Sequence, residues 1–212
     1  ADDNNSASAS GSAFIFFGGI TGTKRADADA DVILDGQSAG DRFGISVASA
    51  GDFNGDGKSD VIVGADFRTN NVGNEGNAYI FFGGVTGSKR ANDDADVIIK
   101  GNGNGDNLGN SVSSAGDFNG DGKGDVIVGE RIGQNASNIR TGRAYIFFGG
   151  VTGTKTADTD ADLILNGQSA NDEFGNTVAS AGDFNGDGKD DVIVSAPGDD
   201  NNSASNSGSA FI

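Results

Sequence analysis

The chain contains no cysteine, histidine, methionine or tryptophan, and one proline in 212 residues. Disulfides, zinc–thiolate sites, histidine bases and cysteine nucleophiles are therefore excluded. A single proline excludes collagen and proline-rich linkers. Basic residues are scarce, with 14 Lys and Arg against 31 Asp and Glu and a formal net charge of −17. Phosphate contacts need a basic surface, so no nucleic-acid partner is expected. No apolar run approaches the ~20 residues of a spanning helix, and no membrane insertion is expected. No signal peptide opens the sequence, which suits a mature end or the interior of a longer protein.

Glycine is abundant: 37 residues, about 17% of the chain, against a usual ~7%. Much of it lies in internal repeats, the first thing to seek in such a composition. The segment 51–58, Gly-Asp-Phe-Asn-Gly-Asp-Gly-Lys, recurs intact at 116–123 and 182–189, at offsets of 65 and 66 residues. Segment 13–19 returns at 78–84 and 144–150, and the pair Phe43-Gly44 returns as Leu108-Gly109 and Phe174-Gly175. Residues 1–15 match 198–212 with two differences, Ala1 against Gly198 and Ala9 against Asn206. The chain thus holds three periods plus a redundant strand.

Each period reads as four short strands, in the first copy 45–50, 60–64, 78–82 and 96–99. They are rich in Val, Ile, Phe and Tyr and bounded by Gly, Asn and Asp. No segment has a helical period of adequate length. Segment 25–31 is expected to be a loop, because its alternating Asp residues would repel along a helical turn. Tandem four-stranded units predict an all-β fold of β-propeller blades. The small residues Ser46–Ala50 suit the crowded axis, and Phe81 and Phe82 suit the space between blades.

The repeated loop carries the chemistry. Asp52, Asn54, Asp56 and Asp60 occupy positions 1, 3, 5 and 9, with Lys58 at position 7 and glycine at position 6. The second copy supplies Asp117, Asn119, Asp121, Lys123 and Asp125. The third supplies Asp183, Asn185, Asp187, Lys189 and Asp191. This is the first half of an EF-hand-like ligand scheme, with oxygens at alternating positions, a backbone carbonyl at position 7 and a glycine at the sharp turn. The Glu of position 12 is missing; Val63 stands there, and Asp60 would replace it. Hard oxygen ligands without His or Cys select Ca²⁺ over zinc or copper, and Mg²⁺ is the weaker candidate. Asp, Asn and Gly also make ordinary turns. However, position 9 is Asp in every copy while position 8 drifts through Ser59, Gly124 and Asp190. About three Ca²⁺ per chain would move the formal charge from −17 to −11.

Other motifs carry less. Gly55–Ser59 resembles the end of a phosphate-binding loop, but that motif needs glycine at position 52, which is Asp52. No acid stands out as a glycosidase-type acid or base. Asp41, Asp106 and Asp172 precede each Phe-Gly or Leu-Gly pair and are expected to bond turn amides. Arg131, Arg140 and Arg143 read as one solvated variable loop. The Asn-X-Ser sequons at Asn4, Asn135 and Asn201 mean little in an Asn- and Ser-rich chain.

At Phe43-Gly44, Ser46–Ala50, the loop 51–60 and Val61–Ala65 the chain resembles an FG-GAP repeat, the blade unit of the integrin α-subunit propeller. The third copy fits best, ending Ser195-Ala196-Pro197. The second departs most, with Leu108 for Phe and Gly129-Glu130-Arg131 for Gly-Ala-Pro. The resemblance spans essentially the whole chain. It implies Ca²⁺ in the hairpin loops between the first two strands of a blade, and an extracellular or cell-surface role in adhesion or ligand recognition. Related repeats also accompany enzymatic domains without being the catalytic part.

The expected organisation is one array over 1–212, with partial blade strands in 1–42, blades in 43–99 and 108–165, and a partial blade in 174–212 that shares strands with the N-terminal segment. Closed propellers have four to eight blades. Three blades therefore imply a piece of a longer chain, a homodimer closing a six-bladed ring, or a head-to-tail polymer. The leading expectation is a non-enzymatic Ca²⁺-stabilised module that binds a protein or glycan through loops such as 66–77 and 130–142. The alternative is an accessory or carbohydrate-binding propeller of a secreted hydrolase.

Overall fold

The computed structural model describes residues 10–67, 75–102, 105–135, 137–200 and 207–212. The sequons at Asn4 and Asn201 lie outside these residues, as do half of the duplicated terminal segments and part of the variable loop 66–77. Strands appear where the repeats place β-branched and aromatic runs. One complete unit is β3 (Ser46–Gly51), β4 (Asp60–Ala65), β5 (Asn77–Phe81) and β7 (Val97–Lys100), and the next is β8 (Leu108–Gly116), β9 (Asp125–Glu130), β10 (Arg143–Phe147) and β12 (Leu163–Asn166). Both are antiparallel sheets in which neighbouring strands are consecutive in this order. Two partial units flank them. The N-terminal one pairs β1 (Ser12–Ile15) with β2 (Val32–Asp35), and the C-terminal one is β13 (Val178–Gly182), β14 (Asp191–Ala196) and β15 (Ser209–Phe211).

Two features depart from expectation. Segments β6 (Gly87–Arg90) and β11 (Gly153–Thr156) are strands that leave their own unit and pair in parallel with β2 and β7 of the preceding one. They had no apolar alternation to announce them, being Gly, Ser, Thr, Lys and Arg. The expected loop at 25–31 instead contains α1 (Ala26–Asp29), with equivalents α2 (Ala91–Asp94) and α3 (Ala157–Asp160). Each is a single turn whose last Asp accepts the amide of the residue before it: Arg25 N to Asp29 at 2.8 Å, Arg90 N to Asp94 at 2.8 Å and Thr156 N to Asp160 at 2.6 Å. Carboxylates near exposed helical amides are attracted to them, which outweighs their mutual repulsion in so short a turn.

The core lies between blades. One cluster joins Phe53, Ile62, Ile80, Val97 and Ile99 of the first complete blade to Val112, Val126, Val128, Tyr145 and Phe147 of the second. Another joins Ile127 and Ile146 to Phe174, Val178, Val192 and Val194. A third packs β1 and β2 through Ala13, Val32 and Leu34 on Phe43, Val63, Tyr79 and Phe81. Phe81 is thus buried between blades, as expected. The inner strands meet along the axis, where Ser46 Oγ donates to Gly109 O (2.8 Å) and Asn110 Nδ2 to Asn176 O (2.8 Å). Close approach explains Gly64, where a Cβ would collide with the carbonyl oxygen of Gly109 on the next blade. These units are propeller blades arranged without closing a ring. No helix among the described residues is long and apolar enough to cross a membrane.

Candidate metal centre

Each loop between the first two strands of a blade has one geometry, repeated three times. In the first, the Asp56 amide donates to both Asp52 Oδ1 (2.9 Å) and Asn54 Oδ1 (2.8 Å), Gly57 N to Asp52 Oδ2 (2.8 Å), and Lys58 N to Asp56 Oδ1 (2.9 Å). The second repeats this through Asp117, Asn119 and Asp121 at 2.7–2.9 Å. The third repeats it through Asp183, Asn185 and Asp187 at 2.8–3.0 Å. Side-chain oxygens of positions 1, 3 and 5 are therefore drawn onto the same few amides. Gly57 has φ +86° and nothing near a would-be Cβ, so conformation alone requires glycine there. The amides of Lys58 and Lys123 hold the carboxyls of Asp56 and Asp121 below their ordinary values.

Position 9 is placed differently. Asp60 opens β4 and is buried; its Oδ2 accepts the amides of Phe53 (2.9 Å) and Asn54 (3.2 Å), and its Oδ1 that of Gly83 (2.7 Å). Asp125 repeats this with Phe118, Asn119 and Gly149, and Asp191 with Phe184 and Asn185. Burial pushes the Asp60 and Asp125 carboxyls up, against the pull of these amides. In the first two loops the Asp at position 9 thus has a reason independent of any cation: it ties the loop to the end of the third strand.

The donor set decides what the loop suits. A carboxylate offers about four lone-pair sites. Asp52 fills two of them within its loop, and Asp117 and Asp183 fill three, with an added bond from Gly120 N or Gly186 N. Positions 1, 3 and 5 retain acceptor capacity made of oxygen alone, which fits a hard cation. Among the described residues, no three acidic side chains gather round a point close enough to hold a metal ion. The nearest positive charge at the first loop is Lys58 Nζ, 3.4 Å from Asp56 Oδ2.

Adjacent loops also touch. Gly124 N donates to Asp52 O (3.0 Å), Asp190 N to Asp117 O (3.2 Å), and Asp117 N to Asp190 Oδ2 (2.8 Å). Position 8, variable in sequence, is the contact between loops. The acids before the Phe-Gly pairs behave as expected: Ser38 N donates to Asp41 (3.0 Å) and Ser169 N to Asp172 (2.5 Å).

One group was missed in the sequence. Arg143 does not belong to a solvated loop. It opens β10, is 8% exposed, and pairs with buried Glu130 (2.8 Å) and with Asp158 (2.7 Å). The Tyr145 hydroxyl contacts Glu130 Oε2 (2.8 Å) and Asp158 Oδ1 (2.6 Å). Burial pushes the Glu130 carboxyl up to about 7, against the pull of Arg143 and Tyr145. The equivalent site one blade earlier is neutral, with Ala65, Asn77, Tyr79 and Asn92, and Tyr79 donating to Asn92 (3.0 Å). The signal was the break in repeat symmetry at Glu130 and Arg143.

Integrin alpha-PS5 of Drosophila melanogaster is 31% identical over 173 residues, covering 78% of this chain and 16% of that protein. Integrin alpha-5 of Xenopus laevis is 30% identical over 174 residues, again 78% and 16%. Phosphatidylinositol-glycan-specific phospholipase D of Bos taurus is 39% identical over 94 residues, 42% of this chain and 11% of that protein. The chain therefore spans less than a fifth of the length of these relatives. The FG-GAP repeat model matches residues 43–81, 108–147 and 174–212, each match beginning at a Phe-Gly or Leu-Gly turn and running through one of the repeated Asp-Asn-Asp loops, and the chain belongs to the FG-GAP repeat family.

Proposed function

We propose that this chain is a non-enzymatic propeller module that takes one Ca²⁺ in each repeated loop, about three per chain, and serves adhesion, recognition or surface structure outside the cell. The threefold recurrence of one oxygen-lined loop supports this reading. Asp52, Asn54 and Asp56, with the carbonyl of Lys58, would hold the cation in the first loop. Asp117, Asn119, Asp121 and Lys123 would do so in the second, and Asp183, Asn185, Asp187 and Lys189 in the third. The buried Asp60 and Asp125 and the half-buried Asp191 brace these loops. The cation would supply positive charge where carboxylates otherwise repel. Recognition of a protein or glycan would fall to the variable loops at the opposite ends of the strands.

Similarity to a phospholipase D supports a second reading, an accessory propeller beside a hydrolase, with catalysis outside these 212 residues. Thermal melting with Ca²⁺ against EGTA tests the calcium reading. At ten times Kd, three independent sites add about 4 kcal/mol, which raises Tm by roughly 10 °C for a chain of this size. An unchanged Tm contradicts it.

A further inference from the structure

Each repeated loop carries an Asn-Gly pair at positions 3 and 4: Asn54-Gly55, Asn119-Gly120 and Asn185-Gly186. In such a pair the glycine nitrogen can attack the asparagine side-chain carbon, because the glycine has no Cβ to block the approach. The bond from the Asp56 amide to Asn54 Oδ1 (2.8 Å) closes a ring that contains the Gly55 nitrogen. Nucleophile and electrophile therefore share one turn. The same bond recurs at Asn119 (2.7 Å) and Asn185 (2.8 Å). Gly55 and Gly120 are both exposed, and Asn54 and Asn119 are both half-buried.

The loops differ in how the reacting groups are tied. In the second, Gly120 N donates to Asp117 Oδ1 (2.8 Å) and Asn119 Nδ2 to Asp121 Oδ2 (3.2 Å). In the third, Gly186 N donates to Asp183 Oδ1 (2.7 Å) and Asn185 Nδ2 to Asp191 Oδ1 (3.4 Å). In the first, neither Gly55 N nor Asn54 Nδ2 makes a hydrogen bond among the described residues. The neighbouring blade distinguishes the first two. Gly124 N donates to Asp52 O (3.0 Å) and pulls on one side of that residue only. Asp190 holds Asp117 on both sides, its amide donating to Asp117 O (3.2 Å) and its Oδ2 accepting Asp117 N (2.8 Å). Both loops are covered by a following blade, with the Lys123 stem over Gly55 and the Lys189 stem over Gly120. The difference between them therefore owes nothing to where the sequence begins or ends.

We propose that Asn54-Gly55 is a site of spontaneous deamidation, at which the first loop changes its position 3 from amide to carboxylate before the second loop does. The Gly55 nitrogen loses its proton to solvent base and bonds to Asn54 Cγ. The bond from Cγ to Nδ2 breaks, ammonia leaves, and a cyclic imide remains. Water opens the imide at either carbonyl, leaving aspartate or isoaspartate at position 54. No oxidant or reductant takes part, and solvent water is the co-reactant. Either product adds one negative charge to the loop. Aspartate keeps the alternation of oxygens at positions 1, 3 and 5, whereas isoaspartate adds a carbon to the backbone and breaks it. At Asn119 the same attack must first free Gly120 N from Asp117 and Nδ2 from Asp121, and Asp190 holds Asp117 in place. Asn166-Gly167, at the end of β12, is protected too: Gly167 N donates to Gly142 O (3.0 Å). The pairs at 102–103 and 104–105 fall partly outside the described residues. The inference needs no bound cation.

Site-resolved peptide mass spectrometry of the 212-residue chain, aged at neutral pH in EGTA, tests it. The chelator makes the outcome independent of the calcium reading. The expected result is conversion at Asn54 about fivefold faster than at Asn119, the factor that one net hydrogen bond sets. Residues 51–58 and 116–123 are identical, so the two rates are expected to be equal in urea, and a difference in buffer reports the fold alone. Labelling by an isoaspartyl methyltransferase shows the isoaspartate product on the Asn54 peptide. Asp190→Gly places at position 8 the residue that the second loop already carries as Gly124. It raises the Asn119 rate toward that of Asn54 while leaving the circular dichroism unchanged. Equal rates at Asn54 and Asn119 in the folded chain overturn the proposal. So does an Asn54 that stays intact in buffer while the chain in urea converts. An Asn119 rate indifferent to Asp190→Gly overturns the role given to Asp190.

Discussion

At the scale of single residues, the acids of this chain are mostly fasteners of backbone. Asp125 is fully buried and accepts three amides from two strand connections. Asp125→Ala leaves those donors unpaired and is expected to cost about 2–4 kcal/mol, read as a Tm lower by roughly 4–16 °C. Asp125→Asn keeps one acceptor oxygen and costs less. Glu130 is a different kind of acid. Its folded pKa is raised from 4.5 to about 7, so the folded state binds its proton more tightly than the unfolded state does. The stability it contributes is present below about pH 4.5 and is lost as pH rises through 7. Glu130→Gln cannot ionise; its Tm relative to the parent is expected to rise between pH 5 and pH 8 by the equivalent of about 2–3 kcal/mol. A constant difference across that range would show that Glu130 does not titrate there. The loop carboxylates were legible because they repeat. Glu130 and Arg143 were not, because pairing between strand ends 13 residues apart has no local signature.

At the scale of elements, glycine sets the loops and amide bonds tie them together. Gly57, Gly122 and Gly188 share φ of +86° to +90° with open space around a would-be Cβ. Gly57→Ala is therefore expected to cost about 1–2 kcal/mol through backbone strain alone, and Gly57→Asn less, since Asn tolerates positive φ. Equal losses by chemical denaturation would argue for a steric cause instead. The four strands of each period were legible from their β-branched and aromatic runs. The parallel strands β6 and β11 were not, because Gly-Ser-Lys-Arg and Gly-Thr-Lys-Thr become strands only where a neighbouring blade offers an edge. The one-turn helices were misjudged for a related reason. Carboxylate repulsion was weighed without the amide that the last Asp accepts.

At the scale of the whole molecule, order comes from the stacking of blades rather than from any one sheet. Each cluster of the core spans two blades, so stability is expected to depend on neighbours, as in other repeat arrays. The blade architecture was legible from four β-branched and aromatic runs that recur at offsets of 65 and 66 residues. The account joins this architecture to a chemistry of three oxygen-lined loops, and the number of cations is its central claim. Isothermal titration of Ca²⁺ into the chelator-treated chain tests it most directly. The account predicts about three sites per chain with Kd of order 10⁻⁴–10⁻³ M, falling to about two when Asp117 and Asp121 are both changed to Asn. No heat of binding at millimolar Ca²⁺, or a site count unmoved by that double change, would contradict it.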